Sequence, residues 1–152
     1  MVKPLEEALP NLAGSDYRVT SPQDGDYNCI AWAAGDTHHW WWPSQDLAKE
    51  YWPPGVPRER TRDAFISAFA SLGYTICEDN DLEAGYEKVA LFADVNDRPT
   101  HAARQLPSGL WSSKLGKAED IEHRLHDLEG TLYGAAVLVM KRPAAPEERS
   151  ET

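Results

Sequence analysis

The hydrophobic pattern of this chain changes period at Gly73, and that switch confines the fold to helices packed on a sheet. Before it, residues 28–35 read as a short apolar helix stopped by Gly35. Ser44 caps a second helix to about Tyr51, which Pro53-Pro54-Gly55-Val56-Pro57 ends. Thr61 caps a third, with Ala64, Phe65, Ala68, Phe69 and Leu72 on one face. After Gly73, residues 74–77 and 88–93 are rich in β-formers, and 135–140 is a final buried strand. Residues 99–106 and 110–114 flank the Pro107-Ser108-Gly109 turn as a hairpin. A polar helix is expected over 117–128, with Ile121, Leu125 and Leu128 as its apolar seam. Helices first and antiparallel strands afterwards make an α+β domain.

The length of 152 residues suits one domain with its own core. The expected division is an extended segment over 1–22, the domain over 23–142 and a disordered tail over 143–152. The apolar content of 41%, with six Trp and six Tyr, argues against disorder. A net charge of −10 with scattered Lys and Arg gives no basic stripe, so nucleic acid is excluded as a partner. Met1-Val2-Lys3-Pro4-Leu5-Glu6-Glu7 has no apolar run and no stretch is long enough to span a membrane, so the expected compartment is the cytoplasm. Export as an effector by a route that reads no N-terminal signal stays open. With Cys29 and Cys77 the only cysteines, free thiols are expected rather than a disulfide framework.

Cys29 falls at the first turn of the first helix, after Gly25 and the capping residue Asn28. Backbone N–H groups there favour a thiolate, the form that attacks carbonyls. Far downstream, His101 lies near the start of a strand beside the small residues Ala102 and Ala103, with room for a ligand or a helix against it. Histidine is the residue best suited to take and return a thiol proton. His38, His39, His123 and His126 fall on a loop or a polar helix face and suit solvated roles. A three-residue turn at 107–109 pairs Leu106 with Leu110, Ala103 with Ser113 and His101 with Leu115. Alternation then puts His101, Ala103, Gln105, Trp111 and Ser113 on one face, with Ser113 diagonal to His101. Ser113, Asp120 and Glu122 are the candidates to orient the imidazole. Gln23, six residues before Cys29, is a candidate oxyanion donor beside the Cys29 backbone N–H.

The order of cysteine on a first helix, histidine on a central antiparallel strand and a polar residue on the next resembles the papain-like superfamily. Its NlpC/P60 and CHAP branches are the most similar in size. The spacing Gln23-x5-Cys29 is similar to that between the oxyanion glutamine and the nucleophile of papain-type proteases. His101 to Leu106, with Gly109 to Gly116, also resembles a small uncharacterised bacterial family with an Asn-Cys-x-Ala-x-Ala opening. The resemblance implies a papain-like core and a hydrolase of amide, peptide or isopeptide bonds, with Cys29 and His101 catalytic, no cofactor and a peptide or protein substrate. NlpC/P60 members usually orient the imidazole with histidine or a similar group, where this chain offers Ser113.

The other unusual segment is His38-His39-Trp40-Trp41-Trp42-Pro43. Its tryptophans either cover the core or wall a substrate cleft together with Asn28, Trp32 and Trp111. Adjacent histidines lack the spacing of helical metal ligands, so no metal is expected; a zinc hydrolase built on His38, His39 and His101 is the outlying reading. The alternative of another class is a catalytically silent binding or immunity module that uses the Trp-rich loop.

Overall fold

The computed structural model describes residues 9, 11, 17–21, 27–36, 39–43, 51–114, 120–130 and 133–144. Its frame is a seven-stranded sheet in which every pairing is antiparallel. In chain order the elements are β1 (Arg18–Ser21), α1 (Cys29–Ala34), α2 (Arg62–Ala70), β2 (Thr75–Cys77), β3 (Tyr86–Ala93), β4 (Pro99–Gln105), β5 (Trp111–Lys114), β6 (Asp120–His123), a 3-10 turn (Leu125–Leu128) and β7 (Ala135–Pro143). Across the sheet the strands run β1-β6-β5-β4-β3-β7-β2, so β4 is central. No helix among the described residues is long and apolar enough to cross a membrane.

Both faces of the sheet are covered. α1 and α2 pack Ile30, Ala31, Phe65 and Phe69 on one face, against Val89, Leu91 and Ala102. On the other face Phe92, Ala103, Trp111 and Ile121 meet Leu125 and Leu128 of the 3-10 turn. Strands covered on both sides bury their polar residues along with the apolar ones.

The expected hairpin register holds: Arg104 pairs with Ser112, Gln105 with Trp111, and the Leu106 N–H donates to the Leu110 carbonyl at 2.8 Å. The third expected helix is α2, capped by the Thr61 hydroxyl, which accepts from the Ala64 N–H at 3.2 Å.

Two expectations change, and a third lies outside the described residues. Residues 120–123 are strand rather than helix, and Ile121, Leu125 and Leu128 serve a strand followed by a 3-10 turn, a spacing that a helix shares. Residues 18–21, expected in the extended N-terminal segment, form the edge strand β1 on β6, so the domain begins before residue 23. The expected second helix falls on residues 44–50, outside those described, and Tyr51 at its end pairs instead with Trp41.

Asn28 fixes the entry to α1. Its Oδ1 accepts from the N–H groups of Ala31 (3.1 Å) and Trp41 (3.0 Å), and its Nδ2 donates to the Trp41 carbonyl at 2.7 Å. One buried amide thus caps the helix and clamps the Trp loop to it. Gly35, in the left-handed region at φ 88°, closes the other end. Asn28→Ala removes the cap and strands the buried Trp41 backbone, so urea denaturation should show a loss of about 2–4 kcal/mol. Thr61→Ala, which removes a cap and nothing else, should lose about 1 kcal/mol. Equal losses would mean that the clamp to Trp41 contributes nothing.

Candidate active site

The site begins where β4 and β5 part. The Leu106 N–H points at β5, so alternation along β4 turns the N–H groups of Arg104 and Ala102 the same way. Pairing with β5 runs only over Arg104 and Gln105. Past it, the Ala102 N–H faces the sulfur of Cys29, which also receives the backbone N–H groups of Ile30 and of Cys29 itself. These contacts favour the thiolate, yet burial outweighs them and pushes the thiol up to about 11. The lowered pKa expected from the helix position is therefore not what this site has. α1 is six residues long, and Cys29 is 7% exposed.

His101 stands one residue along β4, fully buried. Its ring lies flat against Tyr133 at 4.2 Å between centroids and meets the edge of Phe92 at 5.3 Å. Burial does most to raise the pKa of Tyr133 itself, which also feels the charge of Cys29. The Tyr133 carbonyl accepts from the Thr100 hydroxyl. The next residue, Gly134, has room for no side chain, since a Cβ would lie 1.9 Å from the Ala93 carbonyl oxygen.

On its far side His101 is tied into a hydrogen-bonded line. His101 Nε2 lies 2.9 Å from Ser113 Oγ, Ser113 Oγ lies 2.7 Å from His123 Nε2, and His123 Nδ1 lies 2.7 Å from the Arg124 carbonyl. The other nitrogen of His101, Nδ1, is buried and has no hydrogen-bond partner among the described residues, Cys29 included. Burial holds His101 well below its usual 6.5, and the neighbouring His123 adds to this. At rest both groups are neutral, a thiol and an imidazole.

Residues 18–141, from the first residue of β1 into β7, match the family described as Domain of unknown function (DUF7689). The chain belongs to that family. No curated protein and no solved structure matches it.

The other residues singled out in the sequence are placed as follows. Ser113 is bonded to His101 as its register requires, while Asp120 opens β6 and Glu122 pairs with Arg18 on the edge. Gln23 and His38 lie outside the described residues. Asn28 is the cap, a structural task. Trp41 is buried in the core with α1, and Trp111 in the core on the other face of the sheet. Trp40 and Trp42 are half-buried, Trp42 with its ring edge-on to Phe65. Trp32 is half-buried, donates to Ser112 Oγ at 3.0 Å and carries the Arg104 guanidinium on its face at 3.9 Å. Among the described residues no three His, Cys, Asp or Glu side chains gather to hold a metal.

His123 and Tyr133 were missed. Assigned to a polar helix, His123 looked solvated; the alternation of Ile121 and His123 opposite Ser113 and Trp111 was the available signal. Tyr133 lies in a turn just before β7, where periodicity says nothing. Clefts of about 490 and 420 Å³ lie toward the other ends of β3 and β4, lined by Leu82 and Tyr86 and by Tyr74 and Arg142, and neither reaches Cys29.

Burial of these neutral groups makes stability depend on pH from both sides. The thiol, about 11 in the fold against 9.0 when exposed, supports folding fully below pH 9, and that support is lost as pH rises through about 11. His101, held well below 6.5, supports folding above about pH 6.5 and loses it as pH falls. The melting temperature should decline on both limbs. Cys29→Ala should lessen the alkaline decline by about 2–3 kcal/mol, leaving the part that the buried Tyr133 adds at higher pH, and keep the acid one. An unchanged alkaline decline in that variant would contradict the burial of the thiol.

Proposed function

We propose that this chain is a cysteine hydrolase of papain-like architecture that cleaves an amide, peptide or isopeptide bond. The observation that carries the reading is the unpartnered, buried Nδ1 of His101, on a ring tied by Ser113 and stacked by Tyr133 beside the backbone that meets the Cys29 sulfur. An unsatisfied buried nitrogen costs about 1–3 kcal/mol, and a thiol proton to accept gives that cost a use. The order of helix-borne cysteine, histidine on β4 and serine on β5 supports the papain-like assignment.

The reaction starts from the neutral pair. As the sulfur attacks the carbonyl carbon, its proton passes to His101 Nδ1, the C–S bond forms and the carbonyl π electrons move onto oxygen. The Cys29 backbone N–H, with Gln23 as the second donor suggested by spacing, stabilises the oxyanion. Collapse expels the amine, which takes the proton from Nδ1 and leaves a thioester. Water, deprotonated by Nδ1, then attacks the thioester, and the sulfur recovers its proton as the acid departs.

Burial of the thiol favours a second reading, a silent binding or immunity module whose contact surface includes Trp40 and Trp42. Alkylation of Cys29 by iodoacetamide between pH 6 and 10, with Cys77→Ser throughout, separates the two. As a hydrolase, the protein should label about tenfold or more faster at pH 7–8 than its His101→Ala variant, because the imidazole takes the proton during attack. Equal rates across the range would sink the pairing and leave the silent module.

A further inference from the structure

The line from His101 to Arg124 has a direction, and the Arg124 carbonyl sets it. A carbonyl only accepts, so the His123 Nδ1 at 2.7 Å must carry a hydrogen. While His123 is neutral, its Nε2 is then a bare lone pair, and Ser113 gives its one hydroxyl hydrogen to it at 2.7 Å. Ser113 Oγ is left with lone pairs alone for His101, so His101 Nε2 at 2.9 Å must donate, and Nδ1 is bare. The Arg124 backbone carbonyl, just past β6, thus decides which nitrogen of His101 is left without a proton.

We infer that His123 is a positioning residue which, through the Ser113 hydroxyl, fixes the tautomer of His101 and takes up the positive charge when the site gains a proton. The inference deepens the hydrolase reading and rests on it for the source of that proton. When Nδ1 accepts a proton, the Nε2 hydrogen of His101 moves to Ser113 Oγ, and the original Ser113 hydrogen moves to His123 Nε2. One proton enters and two shift by one bond each. His101 ends neutral with its hydrogen on Nδ1, Ser113 remains a hydroxyl and His123 becomes the cation. The same steps in reverse return a proton to Nδ1 for the leaving amine.

The surroundings favour the charge on His123. From the 3-10 turn, the Asp127 carboxylate faces it, and the Arg124 carbonyl already holds its Nδ1 hydrogen. His101, reaching it through Ser113 from β4, is the other titratable group that acts on it. His101 has no such support: Phe92 and Tyr133 flank it, and its free nitrogen meets no acceptor. Burial lowers both rings, and for His123 the carbonyl and carboxylate oppose it.

Nitrogen-15 NMR of the histidine-labelled full chain tests this without any substrate. At pH 7.5 the wild type should show His101 protonated on Nε2 and bare on Nδ1. On acidification His123 should titrate first, with His101 staying neutral and its hydrogen moving to Nδ1 at the same midpoint. His123→Phe should abolish that step and leave His101 a mixture of tautomers. His123→Gln, whose amide oxygen can accept from Ser113, should restore the Nε2-protonated form but not the acid step. Should His123→Phe fail to fold, Ser113→Ala breaks the same line and should likewise uncouple the two titrations. His101 protonated on Nδ1 at pH 7.5, or titrating before His123, or unchanged in these variants, would overturn the inference. If the NMR behaves as expected while Cys29 labels equally with and without His101, the hydrolase reading alone fails.

Discussion

A sheet covered on both faces leaves its buried polar groups no water to turn to, and the rest of this structure follows from that constraint. Each polar side chain in the middle strands must find its partner in the register. His101, Ser113 and His123 do so across three neighbouring strands, ending on a backbone carbonyl that would otherwise need a donor of its own. Asn28 does the same at the helix entry, where one amide serves both the cap and the Trp41 backbone. The geometry of the candidate site is therefore a by-product of satisfying the fold. It is fixed by strand pairing rather than by loops.

Two opposing effects meet at Cys29, and their sizes decide between them. The end of a helix offers a thiolate roughly 0.3–1 kcal/mol, and six residues make a weak dipole. Burial moves the thiol from 9.0 to about 11, which corresponds to about 3 kcal/mol against the charged form. Desolvation wins, so the sulfur keeps its proton at rest. On the proposed hydrolase reading, a nucleophile of this kind resembles a serine more than a preformed thiolate, since it needs its base at the moment of attack. On that reading the state of His101 is decisive, and control of reactivity lies on the strands behind it.

Much of this arrangement was legible in the sequence, and the parts that were not share a physical reason. The Pro107-Ser108-Gly109 turn carried the β4–β5 register, because a short turn leaves few pairings, and with it the contact of His101 with Ser113. Asn28, Gly35 and Thr61 marked helix ends through capping chemistry that acts locally. His123 was lost because Ile121, Leu125 and Leu128 fit a helix as well as a strand followed by a 3-10 turn, and the choice is made by pairing with β5. β1 was lost because Arg18 and Val19 are exposed on an edge strand and show no buried face. The Trp-rich loop left core cover and cleft wall equally open in the sequence, and Trp41 is drawn inward by bonds from its backbone to Asn28 and from its indole N–H to Asp36, a partner five residues away. Local signals survived folding; choices made by distant partners did not announce themselves.

The unpaired nitrogen of His101 remains the point that packing does not explain. A phenylalanine there would fill similar volume between Phe92 and Tyr133 with no polar atom to satisfy, and Ser113 could then be alanine and His123 any apolar residue. A fully apolar replacement of a buried polar group is often neutral or stabilising, whereas a half-satisfied one costs about 1–3 kcal/mol. The line stops one bond short, at an Nδ1 that has no hydrogen-bond partner among the described residues. Stability alone gives no reason for a chain of polar groups to be complete at the Arg124 end and open at this one. On the proposed hydrolase reading, proton transfer at the open end does, with the Cys29 thiol as the source of the proton.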